Sequence, residues 1–171
     1  MKIAIVAGAP SCVDAPFHSP DWKVWATGPA MCDTFPIIHR YFEVHPAWYP
    51  HISKPHFERF LQTTQAEIWA HDTSVHPHSI QYPIGAIKSR FGTEFLSSSV
   101  AWMMALAIQE GADVIGLWGV DLVTALEYRK QRPGVKHFMS LAQELGITVT
   151  APPDCPLLMD LPAYPPNGEN K

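Results

Sequence analysis

The chain has 171 residues, of which 47% are hydrophobic and only 16% are charged. This apolar content is enough for the core of one domain, expected over residues 1–160, and it excludes disorder over most of the chain. With 12 lysines and arginines and a net charge of −4, the chain has too few cations for a broad nucleic-acid surface. In place of charges stand 17 prolines, 9 histidines and 6 tryptophans, an unusual composition for a protein surface.

The sequence predicts neither a membrane span nor a secretory segment. No apolar run reaches roughly 18 residues, the length that a membrane-spanning helix needs. Residues 1–6 lead directly into a strand-like run and lack the features of a signal peptide. Cys12, Cys32 and Cys155 form no CxxC pair, so their spacing indicates neither a disulfide framework nor a zinc ribbon. We therefore expect a cytoplasmic protein.

Short apolar runs that end in turn residues predict the strands of the first half. Residues 3–7 form a continuous apolar run, which is typical of a strand buried on both faces of a parallel sheet. Further strands are predicted at residues 23–27, 40–45 and 67–70, with a helix over residues 54–63. Residues 71–83 are polar and contain proline, so we expect an irregular segment there.

The second half contains the clearest helix signal. Serines at 97–99 are good N-caps, Gly111 is a good C-terminal stop, and the residues between them are apolar on nearly every side. A buried strand is predicted at residues 113–119. Pro133 is favourable at a first helical position, so the next helix is expected to begin there and to end near residue 145.

The alternation of strands and helices predicts the fold class. A last strand is expected at residues 147–150, and residues 161–171 read as a flexible tail. Short apolar strands separated by helices indicate an α/β protein, here a Rossmann-like three-layer sandwich with a mostly parallel sheet of about five or six strands.

Ligands of open parallel sheets bind at the carboxyl ends of the strands, near the switch in strand order. This rule selects five loops, at residues 8–11, 27–30, 43–46, 97–99 and 119–122. The first, Gly8-Ala9-Pro10-Ser11, is neither GxGxxG nor a P-loop, so the sequence does not support a nicotinamide dinucleotide site or a kinase-type ATP site. It is either a loop that brings backbone close to a phosphate or ribose, or a tight turn. Thr27 and Gly28 follow the second strand.

The serines offer a second candidate ligand contact. Ser97, Ser98 and Ser99 would supply backbone N–H groups, hydroxyls and a favourable helix dipole to an anion. The alternative is simple capping of the helix.

Three side chains in the selected loops suit acid–base work. Glu43 and His45 lie at the end of the third predicted strand, and either could act as general acid or base. A structural ion pair and an ordinary loop histidine are the alternatives. Asp121 follows a buried strand, where it could act as a base, hold a ribose or cap a helix.

A polar segment at residues 127–132 supplies the candidates for phosphate contact. Residues 127–132 contain Tyr128, Arg129, Gln131 and Arg132, and arginine is suited to bidentate phosphate binding. The alternative is a solvated, charged turn. His71, Asp72, His76 and His78 do not form a recognised metal-ligand pattern, so we expect no metal and no cofactor.

The strongest family signal is the block SSSVAWMMALAIQEG at residues 97–111, followed by IGLWGVDL at residues 115–122. It resembles the serine-capped helix, glycine, strand and Gly-x-Asp of small bacterial sialyltransferases, and a related block of archaeal 6-hydroxymethylpterin pyrophosphokinase-like proteins. Residues 4–11 and 153–158 are similar to the opening Gly-x-Gly-Pro-Ser loop and closing Pro-Asn-Ser-Leu-Leu of these families. The whole length also resembles uncharacterised tailed-phage proteins, through FEVH at 42–45 and EYRKQRP at 127–133.

The resemblance implies a Rossmann-like domain that binds a nucleotide, with residues 8–11 and 97–99 near its phosphate and ribose. Thr27 and His45 fall where the sialyltransferases have asparagines that hold a cytidine nucleotide. Their catalytic histidine would fall near residues 131–132, where this chain has Gln and Arg. We therefore expect an enzyme that acts on a nucleotide or nucleotide-activated donor, by glycosyltransferase-like transfer or by hydrolysis of a glycosidic or phosphoanhydride bond.

Two other functions remain open from the sequence. A protein of this kind, in a phage setting, could sequester a nucleotide without turning it over, or the domain could serve assembly alone. The expected partner is a small nucleotide or nucleotide sugar. A homo-oligomer is also expected, because Trp48, Tyr49, Trp69 and Trp102 offer more aromatic surface than a small monomer readily buries.

Overall fold

The computed structural model describes residues 1–28, 34–50, 52, 54–122 and 126–158, with the backbone alone for 126–129. The strands are β1 (Lys2–Val6), β2 (Trp22–Ala26), β3 (Arg40–Glu43), β4 (Glu67–Ala70), β5 (Ile80–Gln81), β6 (Val114–Trp118) and β7 (Thr148–Thr150). The α-helices are α1 (Pro55–Thr63), α2 (Ile84–Phe91), α3 (Ser99–Gln109) and α4 (Leu126–Glu144). The expected tail at 161–171 lies outside the described residues.

All seven strands pair in parallel, in the order β5-β4-β3-β2-β1-β6-β7. The order reverses at β1, where Lys2 is in register with Trp22 of β2 on one side and Val114 of β6 on the other. The predicted α/β class is confirmed, and the described residues form a sheet of seven strands where five or six are predicted. The carboxyl ends of β1 and β6 form the switch point at which such sheets bind ligands.

Alternating strand residues build three layers. Ile3 and Ile5 of β1 belong to the cluster that contains α3, whereas Ala4 and Val6 pack with a 3₁₀ helix at Pro10–Asp14 on the opposite face. Helix α1 covers that opposite face further along the sheet, against Tyr41. The apolar composition of α3 places it deep in the core, as the sequence predicts.

Three secondary-structure predictions are wrong or incomplete. The segment 71–83 is not irregular throughout, since it contains β5, and α2 was not predicted. Pro133 does not begin a helix, because α4 begins seven residues earlier at Leu126 and contains Pro133 in its interior. Residues 127–132 favour a helix, and the burial of Val135, Phe138 and Ala142 in the core stabilises α4 despite the backbone hydrogen bond lost at the proline. Among the described helices, none is both long and apolar enough to cross a membrane.

Candidate functional site

The loops after β1 and β6 are joined by hydrogen bonds at the switch point. Ala7 N donates to Trp118 O at 2.9 Å, and Ala9 N donates to Gly119 O at 3.0 Å. The Ser11 hydroxyl accepts a 2.9 Å hydrogen bond from Gly119 N. Gly119 has φ +66°, and a Cβ on it would lie 2.2 Å from Ala7 O. Only glycine therefore permits this approach, which leaves Gly8 and Pro10 exposed at the sheet edge.

The end of β2 joins the same edge. Thr27 is buried, with its N–H bonded to Val6 O at 3.0 Å and its hydroxyl donating to Phe42 O at 3.3 Å. Gly28 has φ +99° and lies against Gly8. The threonine therefore ties β1, β2 and β3 together. The rest of the predicted loop, Pro29 and Ala30, lies outside the described residues.

Glu43 and His45 form a close pair where β3 ends. The Glu43 side chain is only 2% exposed, and its Oε1 lies 2.6 Å from His45 Nδ1. The same oxygen accepts the His45 backbone N–H at 2.9 Å, and Tyr41 donates to Oε2 across a long 3.5 Å. A single carboxylate thus fixes both the backbone and the ring of His45, whose side chain remains 35% exposed.

His71 follows the last residue of β4, the strand that pairs with β3. Its ring meets Tyr82 and Trp102 edge-on, with centroid distances of 5.0 and 4.5 Å. Burial, and secondarily Lys88, lower the pKa of His71 to about 4, and its Nε2 is buried without a hydrogen-bond partner. The Tyr82 hydroxyl donates to Trp102 O at 2.7 Å, which holds the first turn of α3 at the carboxyl edge. His71 is therefore a neutral packing residue at neutral pH.

The loop after β6 carries Asp121. Burial first, and then the nearby Asp154 carboxylate, raise the pKa of Asp121. Leu122 follows with φ +54° and is only 9% exposed. This backbone region costs a non-glycine residue roughly 1–2 kcal/mol, so packing holds the loop under strain. Cys155 Sγ donates to Val120 O at 3.6 Å, which connects the segment around Cys155 to the same loop.

The serine and arginine candidates have protein partners. Ser98 caps α3, with its hydroxyl accepting from Ala101 N at 3.1 Å, and Ser99 is the first helical residue. The Ser97 hydroxyl donates to Gln131 O at 3.4 Å, across the contact between α4 and the residues before α3. Arg132 is 9% exposed and donates to Pro156 O at 2.5 Å. Capping is thus confirmed for Ser98, and phosphate contacts of these residues stay predictions.

For the candidates Tyr128 and Arg129, the structure describes the backbone alone. Tyr128 and Arg129 have helical backbone in α4, and their side chains lie outside the described residues.

The His/Asp group at residues 71–78 serves the fold. Asp72 accepts the Ala47 and Ser74 N–H groups at 2.9 and 3.0 Å, which fixes the loop after β3. Across the described part of the chain, no three His, Cys, Asp or Glu side chains converge in a geometry that could hold a metal ion. Sequence reasoning missed this support role of Asp72, although an Asp that precedes Thr-Ser is a common capping signal.

No protein-family model and no curated protein matches the sequence. The fold, however, is similar to solved structures of the sialyltransferase CstII from Campylobacter jejuni. The complex with CMP-3FNeuAc gives a TM-score of 0.61 at 13% identity, over 91% of this chain and 80% of that chain. A structure with a trisaccharide acceptor and CMP gives 0.58 at 14% identity, over 91% and 82%.

A second kind of enzyme shares the fold. Thiamine pyrophosphokinase from Bacillus subtilis gives a TM-score of 0.54 at 11% identity, over 88% of this chain and 60% of that chain. At these identities the likeness shows the fold alone. The sialyltransferase and pyrophosphokinase resemblance read from the sequence is therefore confirmed as a shared fold.

Proposed function

We propose that this protein is a nucleotide-binding enzyme of the transferase type, acting on a nucleotide or nucleotide-activated donor at the carboxyl edge of its sheet. The similar structures include a sialyltransferase solved with CMP and with CMP-3FNeuAc, and both fold neighbours are transferases. The switch between β1 and β6 is the position at which open parallel sheets bind such ligands. Gly8 and Pro10 are exposed at this position and would lie against the nucleotide.

The observation that carries the enzymatic proposal is the Glu43–His45 pair. Its 2.6 Å contact joins a buried carboxylate to a partly exposed imidazole beside the predicted ligand position. A carboxylate that engages Nδ1 fixes the ring and stabilises the imidazolium that forms during proton transfer. Proton exchange with a substrate would then proceed through Nε2 of His45.

The proposed step is glycosyl transfer from a nucleotide-activated donor. The acceptor oxygen forms a bond to the anomeric carbon, and the bond from that carbon to the phosphate oxygen breaks. The acceptor proton passes to His45 Nε2, and the electron pair of the broken bond leaves with the nucleotide phosphate. With water as the acceptor, the same step is hydrolysis. Asp121, whose pKa is raised, would be the second acid–base group at this edge.

A second function, sequestration of a nucleotide without turnover, is favoured by a different observation. Ser11, Thr27, Ser98 and Arg132 each direct a polar side-chain atom at a backbone group of the protein itself. These four described side chains are thus engaged by the protein's own backbone, an arrangement that suits binding more than charge stabilisation in a transition state.

One experiment separates these functions. The pure protein is incubated with nucleoside mono- and diphosphates and nucleotide sugars, and both binding and product formation are measured. Turnover that is lost in His45→Ala and Glu43→Gln while binding persists supports the enzyme, with Glu67→Gln at the opposite edge as the matched control. Recovery of unchanged ligand from a tight complex supports sequestration, and failure of every nucleotide to bind overturns both proposals.

Several finer expectations stay predictions. They are the glycosyl character of the transferred group, a phage origin, a cytoplasmic location (the host cytoplasm for a phage protein) and a homo-oligomeric state.

A further inference from the structure

The loop after Glu43 and His45 exposes an aromatic surface. Trp48 is 78% exposed, the largest value among the described apolar side chains that are large and exposed, and Tyr49 is 36% exposed. The Tyr49 ring lies 4.3 Å from the His45 ring at 33° and 6.2 Å from the Trp48 ring at 41°. Trp48 and Tyr49, called the aromatic shelf below, thus continue directly from the proposed acid–base pair.

The shelf stands on a fixed loop. Ala47 N donates to Asp72 Oδ2 at 2.9 Å, and Tyr49 N donates to Pro46 O at 2.9 Å. Hydrogen bonds from the Ser74 side chain and, next, from the Ala47 backbone lower the pKa of Asp72, so this anchor stays ionised. Ile52, three residues after Tyr49, is buried in the core. A ligand that binds the shelf would therefore incur little loop-ordering cost.

Chemistry and position together indicate what the shelf binds. Residues 41–53 contain no Lys or Arg, so the shelf suits an uncharged flat ring better than a phosphate. Strand β3 is two positions from β1 in the sheet, which is about 10 Å at the usual strand spacing. A nucleotide whose phosphate lies at the switch point can therefore reach this loop with its nucleobase. Aromatic side chains stack on any base, because every base has a π-face.

We propose that the aromatic shelf stacks on the base of the bound mononucleotide, with Trp48 as the main contact. This inference rests on the proposed function, and it adds the part of the ligand that the loop after β3 recognises. His45, whose ring contacts that of Tyr49, would then lie between the nucleobase and the switch point, on the side of the ligand where the phosphate and the anomeric carbon lie.

The test compares ligands that have a nucleobase with one that has none. Dissociation constants for CMP, UMP, AMP, GMP and ribose 5-phosphate are measured by calorimetry on the wild type, Trp48→Ala and Trp48→Phe. Removal of one stacked ring weakens binding of a nucleobase by about 5- to 150-fold. We expect that loss for the mononucleotides in Trp48→Ala, a small loss in Trp48→Phe, and no change for ribose 5-phosphate. Because Trp48 is exposed, both variants should fold, and Trp22→Phe is the control for loss of a tryptophan elsewhere.

The outcomes are distinguishable from those of the proposed function. If no nucleotide binds the wild type, the proposed function fails and the shelf proposal falls with it. If mononucleotides bind equally well to the wild type and Trp48→Ala, the shelf proposal alone is overturned. Dissociation of a wild-type dimer in Trp48→Ala, with unchanged nucleotide affinity, would overturn it in favour of a contact between two copies of the chain.

Discussion

The two edges of the sheet use their polar side chains in opposite ways. At the amino edge, Arg40 donates to Glu67 at 2.9 Å and to both oxygens of Glu110 at 2.8 and 2.9 Å. Its guanidinium also lies 5.0 Å from the Trp25 ring and 4.5 Å from the Trp69 ring. A cavity of about 340 Å³ opens beside these residues. The Arg40 guanidinium is thus paired with two carboxylates at this edge.

At the carboxyl edge the polar groups are less completely matched. His71 Nε2 is buried without a hydrogen-bond partner, the pKa of Asp121 is raised, and Leu122 holds a strained backbone. Trp48, at the carboxyl edge, is exposed, whereas Trp25, beside the amino-edge cluster, is buried. Strain and unfavourable burial concentrate at functional sites. In this fold a cavity lies beside the ion-pair cluster at the amino edge, whereas backbone strain and an exposed tryptophan lie at the candidate site.

The largest expected effect is at the switch point. Gly119→Ala places a Cβ 2.2 Å from Ala7 O on a φ of +66°, and we expect a loss of about 3 kcal/mol or more in unfolding free energy. Gly111→Ala, at the amino edge, has φ +74° but nothing within 4 Å of the added Cβ, so only about 1–2 kcal/mol of strain is expected. Equal losses in denaturant titrations would refute the close approach of the two loops.

The next effect concerns turnover. His45→Ala should lower kcat by about 100-fold or more, the usual contribution of a positioned general base. Glu43→Gln acts through His45, so the double variant should be no slower than His45→Ala alone. Additive losses in kcat, measured with the substrate found in the nucleotide screen, would show that the two side chains act independently.

A smaller effect is expected from the amino-edge ion pairs. Arg40→Met removes one cation from two carboxylates and should cost about 1–2 kcal/mol at pH 7, because the cluster is only partly buried. The hydrogen bond from Trp69, and secondarily Arg40, lower the pKa of Glu67, so its share of stability exists above the unfolded pKa and is lost as pH falls through the folded value. The deficit of the variant should therefore shrink in acid, with nucleotide affinity unchanged. Altered nucleotide affinity would indicate that the two edges are coupled.

The smallest effect is a pH slope from His71. Its pKa is lowered to about 4 from 6.5, so the unfolded chain binds more protons between these values and the stability of the protein falls as pH falls through that window. The partial exposure of the ring limits this loss to the order of 1 kcal/mol. His71→Phe should flatten the slope between pH 6.5 and 4. Identical slopes in thermal unfolding of the two proteins would contradict the burial of a neutral ring.

The sequence predicts those elements whose residues are almost all apolar and therefore buried. The apolar runs of β1 and β6 and the all-round apolar helix α3 are examples. It does not predict β5, because Ile80 and Gln81 form a short, exposed edge strand with no apolar run. Pro133 misled the prediction of α4, since its preference for a helix start was weighted above the helix propensity of the preceding residues.

For the site, the sequence predicts positions better than contacts. Glu43 and His45 are candidates from their place at the end of a strand, but the hydrogen bond from His45 N to the Glu43 carboxylate requires the chain to leave β3 after Glu43, which depends on the backbone geometry. Arg132 was a phosphate candidate from its residue type, and its burial against Pro156 depends on contacts between distant segments. The unusual composition of the surface is now partly explained, since Trp48 and His45 lie beside the candidate site.

We propose that a nucleotide binds at the carboxyl edge of the sheet and not in the amino-edge cavity. Hydrogen–deuterium exchange with and without the mononucleotide that binds tightest tests it directly, because ligand contact slows local opening. We expect slower exchange at residues 7–12, 44–49 and 119–122, with no change at 38–40, 65–67 and 110–113. Slower exchange at the amino-edge segments, with none at the carboxyl edge, would contradict it.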